Sequence, residues 1–127
     1  MRLDRAFHWI LVLGLLLPLV GCGSSSTPGG PTTLVTGKVL WKGRPVTKGT
    51  VSFEPEGAGK EAFGEIQSDG TYVLTTYKKD DGAVFGKHRV SISNAGKSAP
   101  LKYANYQSSQ IEVEVAEGKS DYSINLN

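Results

Sequence analysis

Cysteine is nearly missing from this chain: Cys22 is the only one among 127 residues. No intrachain disulfide can form, so any fold must stand on its packed core alone. Histidine is almost as scarce, with His8 and His88 alone, too few imidazoles for a histidine-based metal cluster. No metal or other cofactor is expected. Neither sign of charge dominates, because 14 Lys and Arg stand against 12 Asp and Glu. The nearest thing to a basic stripe, Lys78-Lys79, is followed at once by Asp80-Asp81. That balance argues against a nucleic-acid partner, which calls for a clustered basic face. Amphipathic helical periodicity is also absent from the chain beyond its first 21 residues.

What the chain does have is one long apolar run near its start. Arg2 and Arg5 give a positive opening, diluted by Asp4, and Ala6 to Val20 follow with Leu11, Leu13, Leu15, Leu16 and Leu17 at the centre. A small residue, Gly21, then precedes Cys22. Positive start, apolar middle and small-residue cut site are the parts of an export signal. A permanent span wants about 20 apolar residues, and this shorter run is interrupted by Gly14 and Pro18.

The string Leu19-Val20-Gly21-Cys22 resembles the bacterial lipobox. That resemblance implies diacylglyceryl transfer to the Cys22 thiol, cleavage between Gly21 and Cys22, and two or three fatty chains of the palmitate kind on the mature N-terminus. One acyl chain holds a protein marginally, whereas two give stable attachment. The alternative is an ordinary secretory signal with an incidental cysteine. Gly23 rather than aspartate follows the cysteine, so the inner-membrane retention signal of some bacteria is missing. The expected location is the cell envelope, at the outer membrane or periplasmic face rather than in the cytoplasm.

Removing residues 1–21 takes away Arg2, Arg5 and Asp4 and leaves 106 residues with a net charge of +1. Residues 22–33 then form the lipidated cysteine and a spacer, Gly-Ser-Ser-Ser-Thr-Pro-Gly-Gly-Pro-Thr-Thr after Cys22. It has no apolar side chain to dock, and by the scaling for Gly/Ser-rich coils it spans about 18 Å. The remaining residues, 34–127, suffice for one small domain.

Within that domain the apolar period is two. Val35, Val39 and Trp41 share one face of a first strand; Val51 and Phe53 mark a second; Ala62 to Gln67 a weaker third. After a tight turn at Asp69-Gly70, Tyr72 and Leu74 mark the fourth, and Val90 and Ile92 the fifth, from about Val84 to Ser93. A loop covers Asn94 to Gln107. Ile111, Val113 and Val115 then alternate with Glu112 and Glu114, and Tyr122, Ile124 and Leu126 complete a seventh strand. Seven short strands between Gly, Pro and Asp turns predict an all-β, antiparallel, Ig-like sandwich.

The segments Val35-Thr36-Gly37-Lys38-Val39, Gly43-Arg44-Pro45-Val46 and Gly49-Thr50-Val51-Ser52-Phe53 resemble the opening of carboxypeptidase regulatory-like domains. Asp69-Gly70-Thr71-Tyr72-Val73-Leu74 and Gly86-Lys87-His88-Arg89-Val90-Ser91-Ile92 are similar to that family's later turn and strand. The resemblance covers nearly all of residues 34–127. It implies a transthyretin-like seven-stranded sandwich, of the kind carried by short bacterial lipoproteins, and implies no chemistry. The hydroxyisourate hydrolase of the transthyretin group carries several histidines and a C-terminal Tyr-Arg-Gly-Ser, whereas this chain ends Ser123-Ile124-Asn125-Leu126-Asn127.

Candidate sites are few. His88 shares the parity of Val90 and Ile92 and is either a functional group, as a hydrolase's base or a ligand, or a locally satisfied strand-end histidine; no G-x-S-x-G elbow accompanies it. Asp80-Asp81 is either part of a calcium site or a solvated hairpin loop. Glu112 and Glu114 share an exposed face and guard a sheet edge. Tyr103, Asn105 and Tyr106, with Lys102 and Gln107, make a loop suited to stacking on and hydrogen-bonding to a sugar or a protein. One of those tyrosines could instead plug the end of the sandwich. Trp41 has core parity. The expected function is a non-catalytic binding or scaffolding module held at a membrane, with an envelope protein or a glycan as partner. A carbohydrate or peptidoglycan binder using Tyr103 and Tyr106, or a hydrolase around His88, are the alternatives.

Overall fold

A computed structural model describes residues 30–127, of which 44% lie in strands and 11% in helices, so the chain is all-β. Ten strand segments occur among the described residues: β1 (Thr32–Thr33), β2 (Thr36–Trp41), β3 (Arg44–Pro45), β4 (Thr50–Pro55), β5 (Ala62–Glu65), β6 (Thr71–Val73), β7 (Ala83–Val84), β8 (Gly86–Ser93), β9 (Ile111–Val115) and β10 (Ile124–Leu126). Three of them are only two residues long, and β1, β3 and β7 serve mainly to tie the longer strands at their ends.

One sheet is antiparallel throughout, in the order β5-β4-β8-β9. Val51 lies opposite Ile92 and Phe53 opposite Val90, so this sheet's two longest strands share one buried face. The second sheet is built on β2. It pairs with β6 along Thr36 to Lys38, with β3 along Leu40 and Trp41, and with β10. Val39, Tyr72, Ile124 and Leu126 from this sheet join Val51, Phe53, Val90 and Ile92 in one apolar cluster. Fully burying a side chain of this kind is worth about 1.5–3 kcal/mol, and alternation along each strand is what delivers it.

Four details depart from the sequence reading. β10 runs parallel to β2, not antiparallel, with Ile124 beside Val39 and Leu126 beside Trp41. Residues 116–123 carry the chain from the edge strand β9 to the other sheet, where β10 arrives alongside β2 in the same direction. The fifth predicted strand is cut in two at Phe85, whose ring is exposed, and β8 starts at Gly86 with φ +112. The loop after Asn94 holds three helical turns, at Gly96–Ser98, Leu101–Ala104 and Tyr106–Ser109 (α1). Strand pairing also begins at Thr32, inside the segment read as spacer, where Thr32 and Thr33 pair with Val84 and Ala83.

Two local devices fix these elements. At the Asp69-Gly70 turn the Asp69 carboxylate accepts from the Thr71 N–H at 3.1 Å and from its hydroxyl at 2.6 Å, while Gly70 takes φ +87. At Gly37 a Cβ would stand 2.4 Å from the Tyr122 carbonyl oxygen. That glycine lets the 120–122 segment close onto β2, and the Tyr72 hydroxyl donates to the same carbonyl at 2.5 Å. Trp41, expected in the core, is half-buried and packs against it.

Candidate functional site

Gly21 and Cys22, the predicted cleavage and lipidation positions, lie outside the described residues. The other predicted positions fall in the second half of the domain, and the structure treats them very differently.

Tyr103 is buried, 6% exposed, and belongs to the core cluster. Its hydroxyl accepts from the Asn127 N–H and donates to the Asn127 carbonyl, both at 3.1 Å. It therefore plugs the end of the domain and pins the last strand, and its ring offers no face for stacking. Asn105 is exposed and caps α1: its Oδ1 accepts from the Ser108 N–H at 3.0 Å and from the Ser108 hydroxyl at 2.8 Å. Its side chain shapes the loop. Tyr106 is the residue that faces outward, half-buried beside Arg89, whose guanidinium lies 5.8 Å from the ring centre.

Around Tyr106 the sheet supplies partners that the sequence reading did not single out. Cross-strand register puts Glu54 opposite Arg89, and the two form an ion pair at 3.0 Å. The Tyr106 hydroxyl donates to Glu61. Partial burial, then the neighbouring Glu54 carboxylate, push the Glu61 carboxyl above its ordinary range. Arg89, Tyr106, Gln107, Gln110, Ile111 and Glu112 line an open groove of about 350 Å³. Only the pairing of β4 with β8 brings Glu54 to Arg89, so no local sequence signal announces this cluster.

His88 lies in the interior with no exposed surface. Its Nδ1 is 2.9 Å from the Gly86 carbonyl oxygen, and the Phe53 ring lies 5.7 Å away. Read with the proton on Nδ1, that contact is a donated hydrogen bond, and Nε2 is buried without a partner. Loss of water lowers the imidazole pKa; the bond to Gly86 and the Glu56 charge pull the other way but do not overcome it. The ring is held neutral, among apolar side chains.

The Asp81 carboxylate closes its own loop. It accepts from the N–H groups of Thr76 at 2.7 Å, Lys78 at 2.9 Å and Tyr77 at 3.0 Å. Partial burial opposes ionisation there, yet the backbone donors outweigh it and hold the carboxyl below its usual value. Both oxygens are thus engaged in the turn that the calcium reading would have used. Among the described residues no group of three or more His, Cys, Asp or Glu is placed to share a metal ion, and no helix is long and apolar enough to cross a membrane.

No protein-family profile, curated protein or solved structure matches the chain.

Proposed function

We propose that the chain is a lipid-anchored protein of the bacterial cell envelope whose strands form a transthyretin-like, seven-stranded sandwich acting as a non-catalytic binding or scaffolding module. In this reading Gly21 ends the removed signal and Cys22 carries the fatty chains. The spacer after it then sets the domain off from the bilayer, at the outer membrane or periplasmic face. The two sheets that feed one apolar cluster support the sandwich.

His88 is the observation that carries the non-catalytic part. The only histidine beyond the signal is wholly buried, and Gly86 occupies one ring nitrogen. A general base must reach the proton it takes, and this one is walled in by the core. A panel of ester and amide substrates is expected to give no turnover; hydrolysis abolished by His88→Ala would reverse the reading. The anchor is tested separately by mass spectrometry of the N-terminus of protein made in a bacterial host. A peptide starting at Cys22 and carrying diacylglyceryl mass is expected, and an unmodified peptide containing Cys22 defeats the anchor.

A second reading, a carbohydrate or peptidoglycan binder, is favoured by the Tyr106 groove with its flanking Arg89, Gln107 and Gln110. There Tyr106→Ala abolishes retention on immobilised glycans.

A further inference from the structure

At the end of β2 remote from β1 the chain builds a second, differently lined pocket. Trp41 ends the strand, and Lys42 and Gly43, with φ 51 and +76, turn the chain back so that Arg44 pairs with Trp41. Across from this hairpin the turn Gly96–Ser98 presents Lys97 and Ser98. Trp41, Lys42, Arg44, Pro45, Lys97 and Ser98 enclose about 480 Å³.

The chemistry of this lining is one-sided. Lys42, Arg44 and Lys97 bring three positive charges, and none of the six residues is acidic. The Ser98 hydroxyl donates to the Ala95 carbonyl at 2.6 Å, which leaves its oxygen as the one side-chain acceptor in the lining. The Lys42 ammonium rests 5.3 Å above the Trp41 ring. The indole Nε1 of the same side chain is buried and has no acceptor, a rare condition in folded proteins. The charged side chains of this lining are thus all donors, with no carboxylate to answer them and a single hydroxyl oxygen beside them. A neutral polyol needs both kinds of group, whereas an anion with several acceptor oxygens suits donors alone. The volume is also many times the ~30 Å³ share of one water, so there is room for a ring as well as an anionic group.

We propose that this pocket binds an anionic sugar, with Lys42, Arg44 and Lys97 holding its phosphate or carboxylate oxygens and Trp41 packing on the sugar ring. The proposal rests on reading the domain as a binding module, and on neither the anchor nor the Tyr106 groove. Its place fits a tethered receptor: six residues of β2 put the pocket about 17 Å from Thr36, the end where the spacer enters.

The test uses full-length, ¹⁵N-labelled protein in a zwitterionic detergent, following the Trp41 indole N–H resonance, assigned through Trp41→Phe. Glucose 6-phosphate, glucuronate and glucose are titrated in parallel. Glucose 6-phosphate or glucuronate should move the resonance saturably and glucose should not, and whichever saturates lower identifies phosphate or carboxylate as the preferred group. Added salt should weaken the shift, because exposed charges are screened. Replacing Lys42, Arg44 and Lys97 by glutamine together should weaken binding roughly tenfold or more, with the rest of the spectrum still that of a folded protein. Should that triple variant fail to fold, the salt series and Lys97→Gln, on an exposed turn, give the same information. Tyr106→Ala should leave the titration unchanged, which separates this site from the groove. A resonance unmoved by either anion, moved equally by glucose, indifferent to salt, or lost in Tyr106→Ala overturns the proposal.

Discussion

Between Gly86 and Phe53 the His88 ring has given up its water and kept one hydrogen bond, and that exchange has a consequence in pH. Its folded-state pKa lies below the ordinary 6.5, chiefly through burial. The unfolded chain therefore binds a proton that the folded chain refuses, and stability is full above about pH 6.5 and falls as the pH drops toward the folded value. The melting temperature should decline from pH 7 to pH 5, and His88→Leu should flatten that decline. Glu61, whose carboxyl is raised, acts in the opposite sense as the pH falls, so the difference between the two proteins is the quantity to read. A decline of equal size in His88→Leu would deny the ring this role. The two tyrosines differ by a similar logic. Tyr103→Phe removes a hydroxyl engaged with both backbone groups of Asn127 and should cost about 1 kcal/mol in urea unfolding. The sequence places both tyrosines in one loop, but which ring turns inward depends on the last strand reaching Tyr103, a contact 24 residues away.

β9 ends its sheet with only β8 beside it. Its outward face carries Glu112 and Glu114, both exposed, while Ile111 and Val113 are half-buried. Two like charges along a bare edge discourage a second copy from adding its own strand, because antiparallel self-pairing sets glutamate against glutamate. Glu112→Val with Glu114→Val should leave the urea midpoint nearly unchanged and shift the protein to dimers or larger species in size-exclusion chromatography. A monomer at every concentration would show that the glutamates do not guard this edge. β9 was legible because strict alternation over five residues has one reading. The direction of β10 was not: Tyr122, Ile124 and Leu126 alternate equally well beside either neighbour, and only the crossover of residues 116–123 decides for parallel pairing with β2. The turns at Gly96–Ser98, Leu101–Ala104 and Tyr106–Ser109 escaped for another reason. Each is one turn or so long, too short for a 3.6-residue period to show. Gly37 is visible as part of a motif, yet its cause is tertiary, the 2.4 Å approach of the Tyr122 carbonyl to where a Cβ would be.

At the scale of the molecule, anchoring and folding are separable jobs in this reading, and the chain divides them at the spacer. On that proposal charge and hydrophobicity serve export in the first residues, whereas period-two alternation serves the core from Val35 onward. The spacer between them has no apolar residue with which to dock, and only its last two residues, Thr32 and Thr33, join a sheet, by pairing with Val84 and Ala83. The domain closes without sulfur, through Tyr72 to Tyr122, Tyr103 to Asn127 and the apolar cluster common to both sheets. A disulfide-free fold of this kind is indifferent to redox conditions. Deleting residues 2–22 should accordingly move the protein from the membrane pellet into the soluble fraction, while its melting temperature stays within about 1 °C of the parent's, because the apolar cluster from Val35 onward carries the stability. Reductant should change neither number. A variant that leaves the membrane and also melts several degrees lower would mean that the deleted segment is tied into the fold, and that holding the domain and stabilising it are one task after all.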